Sequence, residues 1–281
     1  MENVPLQIDL QKIIRNRLTA KVNRLIPNCI IKLVEKLICQ EALNGILSRT
    51  SLYEGVEFAE AVLKDMSISL DVVGLENIPC NGRFIFVSNH PLGGLDGIAL
   101  IKVLGALYGN DGFKFLVNDM LMNIAPLKPI FLPINKYGSQ GREAAKMINE
   151  TYESDKQVLM FPAGLVSRKQ KGGVIKDLEW QKAFVAKAME HQRDIIPIYF
   201  EGYNSVFFYN LALWRKRLGI KINIEQVFLP SELCKSKGKS FKIIIGKPIS
   251  WQSLLEIKLA YKEIANEIKE KAYMLAQTTD K

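Results

Sequence analysis

Two short stretches of this sequence combine residue types that can do chemistry. The first is Asn89-His90-Pro91-Leu92-Gly93-Gly94-Leu95-Asp96. A histidine and an aspartate brought together by a Gly-rich turn can act as a general base and the group that orients it. The carboxylate would hold one imidazole tautomer and stabilise the imidazolium as it forms. Asp96 also has a plainer reading: it stands just before Gly97, where a helix N-cap is expected, and N-caps are commonly aspartate. The pair together, with Asn89 and two glycines, favours chemistry.

The second stretch is Phe161-Pro162-Ala163-Gly164-Leu165-Val166-Ser167-Arg168, followed by Lys169, Lys171 and two more glycines. Backbone N–H groups around Gly164, with Ser167 and Arg168, could cradle an anionic group. Arginine binds phosphate or carboxylate in bidentate fashion, so Arg168 reads as functional. Lys169 and Lys171 read as a solvated basic loop.

Both stretches follow strands. Residues 83–88 (RFIFVS) form a short apolar run bounded by Asn81-Gly82 and a Gly-rich loop, which predicts a buried strand. Residues 97–108 are apolar nearly all round, as a buried helix would be. Residues 67–73, 113–117, 130–134, 157–161 and 195–200 read as further strands. Helices are expected near 141–152 and 178–191. Strands alternating with helices predict an α/β fold, a mostly parallel sheet flanked by helices, with sites at the carboxyl ends of the strands. Residues 254–276 predict a Lys/Glu-rich amphipathic surface helix.

Residues 10–65 read differently, as a helical hairpin. Ile30, Ile31, Leu33, Val34, Leu37 and Ile38 gather on one side, after Pro27, which suits a first helical turn. Between Lys12 and Lys36 stand seven Lys or Arg and a single acid, Glu35. Such a basic amphipathic stretch can lie in a membrane interface, or simply pack on the main domain. The expected division is 1–65, a helical membrane-associating segment, and 66–281, an α/β domain.

Composition narrows the classes. The chain has 281 residues, 48% hydrophobic and 24% charged, which excludes a disordered, collagen-like or coiled-coil chain. Four cysteines without a CxxC pair exclude a disulfide scaffold, and Cys29, Cys39, Cys80 and Cys234 read as structural. Two histidines exclude a multi-histidine zinc site, so no metal is expected. His191 reads as a helix-end residue. The net charge of +9 favours an anionic partner, but no nucleic-acid motif accompanies it. Apolar runs fall short of the ~18–20 residues a spanning helix needs, and MENVPLQIDL lacks the pattern of a signal peptide. Trp214-Arg215-Lys216-Arg217 with Lys221, and Lys235, Lys237, Lys239 and Lys242, are two more basic clusters. Phe207, Phe208, Tyr209 and Trp214 suit a membrane-facing or acyl-lining patch, although core packing accounts for any one of them.

The chain resembles the glycerol-phosphate and lysophospholipid acyltransferases that carry an NHx4D box. Four blocks stand in the family's order over roughly residues 66–250: Asn89-His90 to Asp96, Ile130-Phe131-Leu132-Pro133-Ile134-Asn135-Lys136, Phe161 to Arg168, and Ile195-Ile196-Pro197-Ile198. Three departures matter. Five residues separate His90 from Asp96, where the family usually has four. The family's Glu in the third block is Ala163, and the arginine expected at the end of the second is Asn135, with Lys136 beside it. The FPAG form and Glu201-Gly202-Tyr203-Asn204-Ser205 resemble the branch that acylates lyso-ornithine or lyso-glycine lipids.

The resemblance implies direct acyl transfer from acyl-CoA or acyl-carrier protein to a lyso-lipid hydroxyl, with no cofactor. His90 would be the base and Asp96 its orienter. Asn89, Lys136, Gly164, Ser167, Arg168 and Pro197 would contact substrate. The expected location is the cytoplasmic face of the inner membrane, peripheral or monotopic, against an anionic lipid surface. Two alternatives remain: lysophosphatidate as acceptor, against which Ala163 and Asn135 argue, and a non-catalytic lipid-binding protein.

Overall fold

The computed structural model describes residues 27–134, 141–220 and 223–278. Among the described residues three helices come first: α1 (Asn28–Leu37), α2 (Gln40–Arg49) and α3 (Gly55–Asp65). Pro27 occupies the position just before α1, and Cys39 turns the chain between α1 and α2 with φ of 57°. Of the apolar residues expected on one face of α1, Ile31 and Ile38 are buried, whereas Leu33 and Leu37 are exposed.

The sheet follows. Its strands are β1 (Ser69–Val73), β2 (Phe84–Ser88), β3 (Phe113–Asn118), β4 (Phe131–Ile134) and β5 (Gln157–Met160), then β8 (Asp194–Phe200) and β9 (Ser240–Ile245). Between β5 and β8 a separate two-stranded hairpin pairs β6 (Arg168–Lys169) with β7 (Ile175–Lys176). The seven-stranded sheet runs β1-β9-β8-β2-β5-β3-β4. Pairing is parallel from β8 to β4 and between β1 and β9, and antiparallel only where β9 meets β8. The mostly parallel α/β reading therefore holds, with one reversal near the edge.

All five residues of β2 are buried, as expected of a central parallel strand covered on both faces. One covering layer is α4 (Leu95–Tyr108), which is apolar all round and buries Leu95, Ala99, Leu100, Ile101 and Leu104. Helix α3 crosses it at Gly105. A methyl group there would lie 2.3 Å from a Val56 methyl, so only glycine permits this approach. Phe58, Ala59, Val62 and Leu63 of α3 thereby join the main core.

Helices α5 (Arg142–Glu153) and α6 (Ala183–Glu190) follow β4 and β7. Helix α6 is shorter than expected. Residues 178–182 stay irregular, because Trp180 turns its ring N–H onto Asp177 at 2.9 Å. After β8 come α7 (Val206–Arg217) and α8 (Leu229–Cys234). The expected single C-terminal helix is two, α9 (Trp251–Glu256) and α10 (Tyr261–Thr278). Ile257 is extended, and Glu263 accepts the Ala260 N–H at 2.9 Å to start α10 afresh. Among the described residues, no helix is long and apolar enough to cross a membrane.

Candidate active site

The turn after β2 is built by side chains that clamp backbone. Asn89, buried, accepts the Phe200 N–H at 2.6 Å and donates to the Phe200 carbonyl at 2.9 Å, tying the ends of β2 and β8 together. His90 comes next at the carboxyl end of β2. Its ring stacks on Phe161 with centroids 4.0 Å apart, and its side chain is 15% exposed. Nδ1 lies 3.0 Å from Oδ2 of Asp96, which is fully buried.

Asp96 is not the N-cap that its place before Gly97 suggests. Helix α4 begins at Leu95, and Asp96 lies in its first turn. The carboxyl group reaches back to accept the Leu92 N–H at 2.9 Å and the Gly93 N–H at 3.3 Å, while Oδ1 accepts the Gly97 N–H at 2.9 Å. Gly93 makes this possible with φ of 92°, a left-handed conformation that other residues rarely adopt. The five-residue spacing is thus absorbed by the turn, and the His–Asp contact is kept. With Asp96 as a carboxylate acceptor, Nδ1–H donates and Nε2 keeps its lone pair.

The second stretch packs against the first. Ser167 donates its N–H to the His90 carbonyl at 2.8 Å. Its hydroxyl donates to Asp177 Oδ1 at 2.5 Å, and the same carboxyl oxygen accepts the His90 N–H at 3.2 Å. Burial pushes the Asp177 carboxyl group above the ordinary aspartate range, and these hydrogen bonds oppose the rise. Helix α10 braces the arrangement: Tyr273 Oη accepts the Asp177 N–H at 2.8 Å, and Lys269 donates to the Asp177 carbonyl at 2.9 Å. Sequence reasoning missed Asp177. The signal was the Gly172-Gly173 turn: the β6–β7 hairpin it closes pairs Arg168 with Lys176, which returns Asp177 beside Ser167.

The other expected residues are placed as follows. Arg168 does not present a free guanidinium to an anion. It is buried and donates to Glu225 at 2.9 and 3.2 Å and to the Val166 carbonyl at 2.6 Å. Glu225 is fully buried and also has Arg215 at 2.9 Å, so a carboxylate from the chain's own far segment occupies the arginine. Gly164 is exposed in a turn, its N–H on the Phe161 carbonyl. Pro197 is interior to the sheet: it stands opposite Val87 in β2, and its carbonyl accepts the Gly246 N–H at 2.8 Å. It is apart from the His90 cluster. Ala163 is buried in the core beneath the loop. Asn135 and Lys136 lie outside the described residues. His191 caps α6 and stacks on Tyr152 at 5.3 Å, a structural position.

An open cleft of about 720 Å³ borders Asp177. Six cations line it (Arg168, Lys169, Lys171, Arg215, Lys216 and Lys269), of which Arg168 and Arg215 are already paired with Glu225, against two lining acids, Asp177 and Glu179. Among the described residues, no three His, Cys, Asp or Glu side chains converge as metal ligands would.

A partly exposed imidazole oriented by a buried carboxylate, with a cationic cleft bordering Asp177, fits the chemistry of acyl transfer. Residues 14–281 match the model of the acyltransferase family, and the chain belongs to that family: it is an enzyme that transfers acyl groups. Within the family it groups with two curated relatives. It is 47% identical over 251 residues to the lyso-glycine lipid O-acyltransferase of Phocaeicola vulgatus, covering 89% of each chain. It is 46% identical over 247 residues to that of Bacteroides thetaiotaomicron, covering 88% of this chain and 89% of the relative. Among solved structures, the 1-acyl-sn-glycerophosphate acyltransferase of Thermotoga maritima matches with a TM-score of 0.46 and 14% identity, over 89% of this chain and 96% of that one.

Proposed function

We propose that this enzyme O-acylates a lyso-glycine lipid, with His90 as general base and Asp96 as its orienter. The observation that carries the mechanism is the 3.0 Å contact between His90 Nδ1 and the buried Asp96 carboxyl group. It leaves Nε2 to take the proton of the acceptor hydroxyl as its oxygen attacks the acyl thioester. The new ester C–O bond forms, the C–S bond breaks, and the imidazolium returns its proton to the departing thiolate. Such a transfer uses no metal and no covalent enzyme intermediate.

The acceptor assignment rests on the two lyso-glycine lipid relatives and on Ala163, where acyltransferases that accept lysophosphatidate carry Glu. The donor is acyl-CoA or acyl-carrier protein, and the cationic cleft suits the phosphorylated arm that both donors share. Ser167 and Asp177 set the height of His90 from its backbone. The N-terminal segment would bring the enzyme to the cytoplasmic face of the inner membrane, as a peripheral or monotopic protein. Exposed Leu33 and Leu37 beside exposed Lys32 and Lys36 on α1 favour that location.

The test is acyl transfer by the purified enzyme from labelled palmitoyl-CoA and palmitoyl-carrier protein. Lyso-glycine lipid, lyso-ornithine lipid and lysophosphatidic acid are offered in parallel micelles. Preferred transfer to lyso-glycine lipid supports the proposal. Preferred transfer to lysophosphatidic acid overturns the acceptor, and no transfer from either donor to any of the three overturns the activity.

A further inference from the structure

Helix α7 is anchored by one face and bare on the other. Phe208, Tyr209 and Ala212 are buried in the body of the protein. On the outer side, Phe207, Trp214 and Leu218 recur at intervals of seven and four residues, the spacing of a single helical stripe. Phe207 is 53% exposed, Trp214 60% and Leu218 69%, and Val206 beside them is 72% exposed. Large apolar side chains gathered in this way mark an interaction surface.

Charge selects the partner. From Ser205 to Ile220 there is no Asp or Glu, and the last turn of α7 carries Arg215, Lys216 and Arg217. Arg215 turns inward to Glu225. Lys216 and Arg217 stay exposed, with the Arg217 guanidinium 5.9 Å from the Trp214 ring centre. An apolar stripe bearing a tryptophan and edged by cations matches a bilayer interface: apolar side chains enter the acyl boundary, the indole sits at headgroup level, and the cations meet anionic lipid.

The same segment touches the catalytic turn. Asn204, just before α7, donates from its side chain to the Pro91 carbonyl at 3.0 Å. Downstream, Leu229 packs over Gly93, and Phe228 meets Phe207 edge-to-face at 5.2 Å. We infer that the outer face of α7 docks on an anionic bilayer, so that the turn bearing His90 opens toward the membrane from which a lipid acceptor arrives. This inference rests on the lipid-acceptor reading for its purpose, but its surface is separate from the His90–Asp96 pair.

Vesicle flotation of the full chain tests it. The vesicles are phosphatidylcholine alone or phosphatidylcholine with phosphatidylglycerol. The variants are Phe207→Ser with Trp214→Ser, and Arg217→Gln. Wild type should float with the anionic vesicles. The apolar double variant should lose about tenfold or more in partitioning. The charge variant should lose about fivefold on anionic vesicles and little on neutral ones. Both should keep the wild-type melting temperature and acylate acceptor in detergent micelles. Variants that float like wild type, or a wild type that does not float, overturn the inference. Unchanged flotation with an altered oligomeric state would assign the face to a second copy and also overturn it. Failure of wild type in micelles, with flotation as expected, would sink the acyl-transfer reading alone.

Discussion

Ser167 and Asp177 share a 2.5 Å hydrogen bond, and both grip the backbone of His90: Ser167 on its carbonyl, Asp177 on its N–H. The histidine is thus fixed from behind by a loop that arrives from another part of the sequence. Its ring is fixed from the front by Asp96 and by stacking on Phe161.

Asp177→Asn probes the rear support. Burial raises the Asp177 pKa in the folded protein, so the unfolded chain releases this proton first as pH rises. Wild type therefore loses stability from about pH 3.8 up to the folded value, and then no further. Asn carries no such penalty. The stability of Asp177→Asn relative to wild type should improve across that window and level off above it, as denaturant melts at a series of pH values would read.

Asp96→Asn probes the front support. Oδ2 alone serves Nδ1, Leu92 N–H and Gly93 N–H, so an NH₂ in its place reverses the tautomer and leaves both N–H groups unpaired, while an NH₂ in the Oδ1 place meets the Gly97 N–H. Turnover should fall by about 10²–10⁴, the usual range for a general base put out of action. The fold should survive with a loss of about 1–3 kcal/mol, measured by urea denaturation.

Gly93→Ala tests the turn that absorbs the extra residue. The new Cβ must accept φ of 92° and meets Leu229 at 3.0 Å. Strain of this kind costs about 1–3 kcal/mol. The shifted turn should lower kcat, while the melting transition stays cooperative.

Gly105→Ala tests the crossing of α3 on α4. The added methyl would lie 2.3 Å from Val56, and overpacking of this sort costs about 1–3 kcal/mol. Adding Val56→Ala removes the clashing methyls and should restore most of the loss, which a double-mutant cycle on melting free energies would show.

Much of this was legible in residue order. The strand β2, the buried helix α4 and the alternation behind them follow from apolar runs and their lengths. The His90–Asp96 partnership was legible too, because a Gly-Gly turn after a strand leaves few other uses for that pair. Arg168 was misread because its partner, Glu225, is 57 residues away in a segment with no motif. Asn89 ties the ends of β2 and β8 and Pro197 stands inside β8, long-range placements that residue order does not display. Strand β9 was hidden within a lysine-rich stretch. Only Lys242 lies within it, while Phe241, Ile243, Ile244 and Ile245 are buried. Of the aromatic cluster near residue 207, helical phase divides the members: Phe208 and Tyr209 point inward, Phe207 and Trp214 outward.

The most direct test of the account is the acyl-transfer rate of His90→Ala beside wild type, on lyso-glycine lipid in micelles. The His90 side chain is partly exposed and its backbone contacts survive the change, so the variant should melt close to wild type. The expected rate is lower by about 10²–10⁴. Transfer at the wild-type rate by the folded variant would contradict it.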